Sequence, residues 1–419
     1  MPQQNEFGLI ILPYIACFAC YTWLSSKSPS ITTKKILALA IVARCILFFA
    51  FPNLSDDIYR FVWDGRLAHL GINPMTVLPS KVVGIDPNLS DALFGQLNSP
   101  EYFTVYPPFS QWVFYASTFI PTDGLRAELL IMRGIILLFE LFSLYGIIKL
   151  LKFLGQDSSL VSWYGLNPLV IIEVTGNLHF EGVMICFMIW GLYFLFRSNM
   201  LASGLFWGLS ILTKLLPLMF LPLIWFSQKR SSVLRFGMLT MIVLLLGFGP
   251  YLIYSVNAGT GFTDSLDLYM RKFEFNASIY YLLRGLGYGI YGYNLIHILG
   301  PVLAMVVMSA IIYTAYRYGK NSERHRVILL MFFSFCIFLF GSMTVHPWYL
   351  CVPIALSCFV KFRFAIVWSF LIFLTYINYS YTPYFENLWI VATEYLIVIC
   401  VLLWEVNKYG WFPERDISQ

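Results

Sequence analysis

Apolar positions in this 419-residue chain fall in long unbroken runs separated by short polar segments. They follow neither the alternation of a half-buried strand nor the one-sided stripe of a surface helix. The runs cover about 8–25, 35–52, 129–148, 159–176, 180–196, 200–212, 216–227, 232–255, 294–316, 328–344, 347–360, 364–380 and 389–406. In lipid a backbone N–H or C=O finds no partner outside its own segment, so such runs predict membrane-crossing α-helices. Several are shorter than the roughly 20 residues of an upright span. The pattern therefore predicts an all-α polytopic membrane protein of about 11–13 transmembrane helices. The short runs around Lys214-Leu-Leu-Pro217 read as half-helices meeting at a buried polar site.

Basic residues cluster between the runs, at Lys27 with Lys34 and Lys35, Lys149 with Lys152, Arg197, Lys229 to Arg235, Arg317 to Arg326, Lys361 with Arg363, and Lys408. Placing them in the cytoplasm puts the N-terminus outside and the C-terminus inside. Segment 53–107 then becomes a large first extracytoplasmic loop with six acids against three bases. For this alternation, 108–121 must be interfacial or re-entrant, flanked as it is by Tyr106-Pro107-Pro108 and Pro121. A second such piece is expected at Ser278–Tyr293. Residues 1–419 read as a single membrane-embedded domain, without a short-period repeat.

Composition narrows the class. Hydrophobic residues make up 59% and aromatic residues 18%, mean hydropathy is +0.73, and a soluble globule stays near roughly 45–50% apolar. The net charge of +5 is accounted for by the basic loops, which excludes nucleic acid as a partner. The eight cysteines sit in or beside apolar runs with no repeated spacing; Cys17 and Cys20 have a CxxC-like spacing without a partner pair, and all eight read as packing residues. The start Met-Pro-Gln-Gln-Asn-Glu lacks the basic region of a signal peptide, so the first run reads as a retained span.

Candidate chemistry begins in Leu54–Pro74, where Asp56, Asp57, Arg60, Asp64 and Arg66 fall within eleven residues of a chain only 12% charged. As a helix, its acids and Arg60 share a face, with Ser55 as N-cap. The spacing fits an interfacial helix with Ile58, Phe61, Val62 and Leu67 toward lipid, and it fits a site equally well. Companions on the same side are Glu173, Asn177, His179 and Glu181 in one turn; Arg271, Lys272, Glu274 and Asn276; and His346-Pro-Trp-Tyr349. Lys214 has apolar neighbours on both sides and needs an anionic partner or a cavity. Asp56, Asp57 and Asp64 have the oxygen chemistry for a divalent cation, but adjacent acids diverge on a helix and Arg60 competes with a metal, so no cofactor is expected. No phosphate-binding glycine loop is present.

The run Asp56-Asp57, Tyr59-Arg60-Phe-Val-Trp63-Asp64-Gly65-Arg66, then Gly71-Ile-Asn-Pro74 and Tyr106-Pro107-Pro108, resembles the GT-C superfamily of integral membrane glycosyltransferases. The likeness is to its polyprenyl-phosphate-sugar-dependent mannosyltransferases, and is supported more loosely by Thr213-Lys214-Leu-Leu-Pro217, Asn276-Ala-Ser-Ile-Tyr280 and His346-Pro-Trp-Tyr349. The resemblance implies a GT-C-like helical bundle whose first outer loop holds the catalytic carboxylate. It also implies a sugar donor on a polyprenyl phosphate, most simply mannose, and a glycan, glycolipid or protein acceptor. An inverting transfer needs a general base, Asp56 or Asp57, with Asp56 favoured. Arg60, Arg66, Lys214, Arg271, Lys272 and His346 are the groups that would face phosphate. Asp64 would orient an arginine or bind sugar hydroxyls, Trp63, Trp348 and tyrosines such as Tyr106 would stack on the pyranose, and His179, Glu181 and Asn276 would complete the substrate site. One departure is an extra apolar run ahead of the span that leads into the loop. A transporter or flippase of lipid-linked glycans, favoured by Lys214 alone, and a ligase using a polyprenyl diphosphate are the alternatives.

Overall fold

The computed structural model describes residues 2–120, 125–255, 261, 272–320 and 322–410, and among these every regular element is helical. Only an isolated bridge, Phe275 to Thr344, has strand character. The principal helices are α1 (Phe7–Ser26), α2 (Thr33–Ile46), α3 (Asp57–His69), α4 (Pro108–Ser117), α5 (Arg126–Phe153), α6 (Glu181–Phe196), α7 (Met200–Thr213) and α8 (Arg230–Ser255). They continue with α9 (Ile279–Tyr291), α10 (Ile296–Gly319), α11 (Arg324–Gly341) and α12 (Leu388–Tyr409).

Among the described residues, six helices are long and apolar enough to cross a membrane, namely α1, α5, α8, α10, α11 and α12. The segment Pro168–Gly176 and α6 are bent by 112° at a short break and would make a seventh crossing if taken as one. The remaining expected spans are short pieces, because proline and polar residues interrupt them. Thus α7 stops at Thr213, Lys214 is extended, and the chain resumes as a 3-10 turn Leu216–Phe220 and the short helix Leu221–Ser227. The expected break at Lys214 is therefore present. The region before Pro121 also behaves as expected, since α4 has only 10 residues.

Lipid-facing and protein-facing helices divide cleanly. Leu9, Leu12 and Trp23 of α1, Leu245 and Leu246 of α8, Met305 and Val306 of α10, and Leu403 and Trp404 of α12 are exposed apolar side chains, while α6 is buried along most of its length. Within the bundle a charge is costly unless fully satisfied. Arg44 and Glu140, both fully buried, pair at 2.8 Å, Tyr164 donates to Glu140 Oε1 at 2.6 Å, and Arg44 Nη1 donates to the Gly165 carbonyl at 2.7 Å.

The two ends of α5 separate the charged loops. Glu128 in its first turn pairs with Arg66 of α3. Its other end packs on the 3-10 turn Ser158–Val161, where Ser158 meets Thr33 at 2.8 Å and Gln156 donates to the Phe359 carbonyl. With a length of about 42 Å for 28 residues, α5 holds the acidic loop at one end of the bundle. The basic segments near Lys35, Lys152 and Arg363 gather at the other. Gln4 lies beside Asp56, so the start of the chain shares the acidic end.

Candidate active site

Helix α3 begins where the sequence predicts, but its cap is divided between two residues. Ser55 Oγ accepts the Asp57 N–H at 3.3 Å, while Asp56 occupies the cap position itself and its carboxylate makes no capping bond. Ser55 thereby leaves the Asp56 side chain available. Nor does α3 turn an apolar face to lipid: Ile58, Phe61 and Val62 are fully buried and Leu67 nearly so. Phe61 stacks on Phe114 of α4 at 4.6 Å and meets Phe180 edge-on at 5.5 Å, so packing against protein replaces the expected lipid contact.

The start of α3 opens onto a cavity of about 940 Å³. Its polar end is lined by Asp56, Asp57, Arg60, Lys214, Lys272 and His346. Its apolar part is lined by Gly300, Ala304, Met308 and Ile311 along one face of α10, facing Leu215, Met219 and Phe338. From residue 300 to 311 this face extends about 16 Å.

The two aspartates stand in different surroundings. Asp57 accepts from Tyr106 Oη at 2.9 Å and Asn98 Nδ2 at 3.2 Å, and its Oδ2 lies 3.8 Å from His179 Nε2. Asp56 is exposed, and its carboxyl is raised above the ordinary value of 3.8, by partial burial first and by the neighbouring Asp57 charge second, against a hydrogen bond from Gln4. A more basic carboxylate at the cavity wall suits proton removal.

Most of the expected cations prove to be committed elsewhere. Arg60 Nε pairs with Asp64 Oδ1 at 2.8 Å, and its Nη1 donates to the Ser99 and Tyr102 carbonyls. Asp64 is fully buried and its other oxygen accepts from Gln111 Nε2 at 3.0 Å, so this pair anchors the loop to α3. Arg66 is tied to Glu128 at 2.5 Å and to the Asn88 carbonyl, away from the cavity. His346 is half-buried on the cavity wall, and its imidazole is pushed down to about 3 by desolvation, which the Asp57 charge opposes and those of His179 and Lys214 reinforce. That direction favours the neutral ring over the cation that the sequence suggested there. Arg271 lies outside the described residues. Lys214 and Lys272 remain on the cavity wall. Lys214 Nζ pairs with the fully buried Glu181 at 2.6 Å, the anionic partner its sequence context demanded.

The expected aromatic platforms also change place. Trp63 is fully buried against Phe94 and does not line the cavity, because α3 turns that face into the core. Trp348 lines the cavity but its ring is stacked with His179 at 3.8 Å and with His346 at 4.3 Å, which occupies face area a pyranose would use. Tyr106 lines the cavity, with Lys214 over its ring at 5.9 Å. Asn276 is buried at positive φ, its N–H donating to Glu386 at 2.6 Å and its Nδ2 to Glu394 at 3.1 Å. It fixes the neighbouring Phe275, whose backbone pairs with Met343 and Val345, so the Lys272 and His346 walls are joined.

Sequence reasoning did not single out Asn98, Gln4, Tyr376 or Tyr379, all of which line the cavity. The tyrosines sit in a run read as one apolar span, where Tyr376, Asn378, Tyr379 and Tyr381 at its end were the available signal. Among the described residues no group of three His, Cys, Asp or Glu side chains is placed to hold a metal ion.

Comparison with known proteins adds an independent line. The family described as alpha-(1->6)-mannopyranosyltransferase, N-terminal domain, matches residues 6–228, which include α3, the acidic loop, His179 and Lys214. Alpha-(1->6)-mannopyranosyltransferase A of Corynebacterium glutamicum is 22% identical over 188 residues, 44% of this chain and 37% of that protein. GPI mannosyltransferase 1 of Kluyveromyces lactis is 39% identical over 117 residues, 26% of this chain and 29% of that protein. GPI mannosyltransferase 1 of Saccharomyces cerevisiae is 32% identical over 151 residues, 32% and 36% of the respective chains. The matched stretches span about a third of these relatives' lengths.

Proposed function

Because this chain belongs to the alpha-(1->6)-mannopyranosyltransferase family, we propose that it is an inverting membrane glycosyltransferase that moves mannose from a polyprenyl-phosphate donor to a glycan, glycolipid or protein acceptor. The observation that carries this reading is the exposed Asp56 carboxylate at the polar end of a cavity whose other walls are apolar. A lipid-borne sugar has this division: a hydroxylated and charged head, and a hydrocarbon tail that gains by leaving water.

The acceptor hydroxyl attacks C1 of the sugar from the face opposite the phosphate. Its proton passes to Asp56, the new C–O bond forms with inversion, and the old bond from C1 to the phosphate oxygen breaks. The electron pair leaves with the phosphate, whose added negative charge falls beside Lys214 and Lys272. Asp57 is already engaged by hydrogen bonds from Tyr106 and Asn98, so the proton is assigned to Asp56. No metal is part of this route. The names of the mannosyltransferase relatives support the sugar, and the acidic end shared by the first loop and the N-terminal residues supports an extracytoplasmic site.

The test is transfer from synthetic polyprenyl-phosphate mannose by the purified protein in nanodiscs. Asp56→Asn is expected to lower kcat by about 10²–10⁴, the usual contribution of a general base, while donor binding persists. Full turnover by Asp56→Asn would refute the base assignment. If the wild-type protein takes sugar from none of the mannose, glucose, galactose and arabinose carriers, the donor class is wrong.

A further inference from the structure

The two aspartates at the start of α3 look onto different parts of the cavity wall. On the Asp57 side, Tyr106 Oη donates to the carboxylate at 2.9 Å and Lys214 Nζ lies 5.9 Å from the centroid of the same tyrosine ring. His346, also on the wall, lies within the fields of both Asp57 and Lys214. A leaving phosphate finds its cation on that side. The Asp56 side is built otherwise, from Gln4, whose amide donates to the carboxylate, and from Tyr379. The charged groups that act most strongly on the Tyr379 phenol are carboxyls, Asp56 first and then Asp57, Glu173 and Glu386.

Tyr379 lies near the end of the 3-10 segment Ile372–Ser380, is half-buried, and lines the cavity. Its hydroxyl has no hydrogen-bond partner among the described residues. Its ring meets Tyr376 at 6.2 Å and Tyr384 at 5.5 Å, tilted by 37° and 59°, so neither neighbour lies flat on a face of it. Trp348 differs in this respect, since His179 and His346 both stack on its ring. The surrounding chain is fixed from behind. Tyr376 Oη donates to Glu173 at 2.7 Å, Asn378 Oδ1 accepts the Asn387 N–H at 3.1 Å, and Glu386 accepts the Asn276 N–H at 2.6 Å. A tyrosine of an aromatic belt faces lipid headgroups, whereas this one faces the cavity that holds Asp56.

We propose that Tyr379 and Gln4 form the acceptor subsite, which takes an uncharged saccharide with its pyranose laid on the Tyr379 ring and one hydroxyl directed at Asp56. The subsite rests on the reading of Asp56 as base. Inversion requires the acceptor to approach C1 from the face opposite the phosphate. With the phosphate beside Lys214 on the Asp57 side, the open approach is past Asp56. A pyranose brings an apolar C–H face that suits an aromatic ring, and hydroxyls that suit a phenol and an amide. A phosphorylated or acidic acceptor would meet carboxyl oxygens there in place of cations.

The assay uses the whole chain in nanodiscs with synthetic polyprenyl-phosphate mannose, and varies donor and acceptor separately. The acceptors are an alkyl mannoside and its phosphorylated counterpart. Tyr379→Ala is expected to raise the KM for the alkyl mannoside about tenfold, the size of one lost aromatic contact, while donor KM stays within about twofold. Tyr379→Leu fills the space without a flat ring and gives the same rise, which covers the case in which Tyr379→Ala does not fold. Tyr379→Phe keeps the ring and holds acceptor KM within about threefold.

An unmoved acceptor KM in both Tyr379→Ala and Tyr379→Leu overturns the subsite and leaves Tyr379 a structural ring. A rise in donor KM instead makes it a donor contact and overturns the subsite equally. Equal use of the alkyl mannoside and its phosphorylated counterpart overturns the assignment to an uncharged acceptor. Asp56→Asn is assayed alongside: its retention of turnover removes the base reading itself, whereas its inactivity with an unmoved acceptor KM in the Tyr379 variants removes the subsite alone.

Discussion

Lys214 and Glu181 allow the structural and chemical roles of one cation to be separated. Glu181 is fully buried and the Lys214 side chain is 17% exposed, with 2.6 Å between them. The lysine takes Glu181 Oε1, and Oε2 has no hydrogen-bond partner among the described residues. Lys214→Met therefore strands a buried carboxylate, at a cost of about 3 kcal/mol, the lower end of the range for breaking a buried pair because the lysine reaches the cavity. In a chain of this size that lowers the apparent Tm by about 3–6 °C. The double variant Lys214→Met with Glu181→Gln removes both charges and recovers most of the loss, with a coupling of about 2 kcal/mol in the cycle. Activity behaves differently. If Lys214 meets the leaving phosphate, single and double variants alike lose about 10²–10³ in kcat, the magnitude for removing one preorganised charge. The assay pairs apparent Tm at a fixed scan rate with single-turnover transfer from polyprenyl-phosphate mannose. A double variant that recovers both stability and turnover would refute the phosphate role and leave Lys214 as a structural counter-ion.

Two further outcomes follow from neighbouring walls. Gly341 of α11 lines the cavity where α10 crosses it, and a Cβ there would overlap Val307 Cγ2. Gly341→Val forces the two helices apart beside the apolar wall, so donor KM is expected to rise about tenfold with kcat little changed; an unchanged KM would show that this wall does not bind the donor. Glu386, which accepts from Asn276 N–H and Tyr281 Oη, has its carboxyl raised by burial first, against hydrogen bonds from Tyr281 and Asn276. A carboxyl raised on folding stabilises most when protonated, and that stability is lost as pH climbs from the ordinary value of 4.5 through the folded value. Glu386→Gln should flatten apparent Tm over that window, and an unaltered pH slope would contradict this.

The all-α polytopic architecture was legible in the runs, and the side of the bundle that carries the acids was legible in the basic loops. Those features depend on local composition alone. What remained hidden depends on pairing across distance. Arg60 and Arg66 look alike in sequence, yet one is consumed four residues away by Asp64 and the other by Glu128, 62 residues on. Trp63 reads as a platform until α3 rotates it into the core. Among the described residues six or seven helices are long and apolar enough to cross a membrane by themselves, and apolar runs do not reveal that Pro168–Gly176 turns by 112° before α6. Asp56 and Asp57 could not be told apart, because adjacent positions share composition and differ only by the roughly 100° turn of the helix that gives Asp57, and not Asp56, to Asn98 and Tyr106.

That division also explains how the proposed site tolerates two adjacent acids. Described cations at the acidic end are mostly matched: Arg60 with Asp64, Arg66 with Glu128, Lys214 with Glu181. The Asp56 and Asp57 pair has no ion-pair partner as close as these among the described residues, and so presents negative charge to an incoming phosphodiester, beside the α3 N-terminus and across the cavity from Lys214 and Lys272. Partial burial first, and repulsion from Asp57 second, raise the Asp56 carboxyl, which suits the proposed role of proton acceptor. In the proposed transfer the phosphate gains one negative charge as its bond to C1 breaks, while Asp56 loses one by taking the acceptor proton. Local charge is therefore unchanged between substrates and products, and Lys214 and Lys272 need only follow its displacement across the cavity. A site balanced in this way stabilises the separated charges of the transition state without trapping the product phosphate, which argues for lysines at the wall in place of the bidentate arginines that the sequence alone would have favoured.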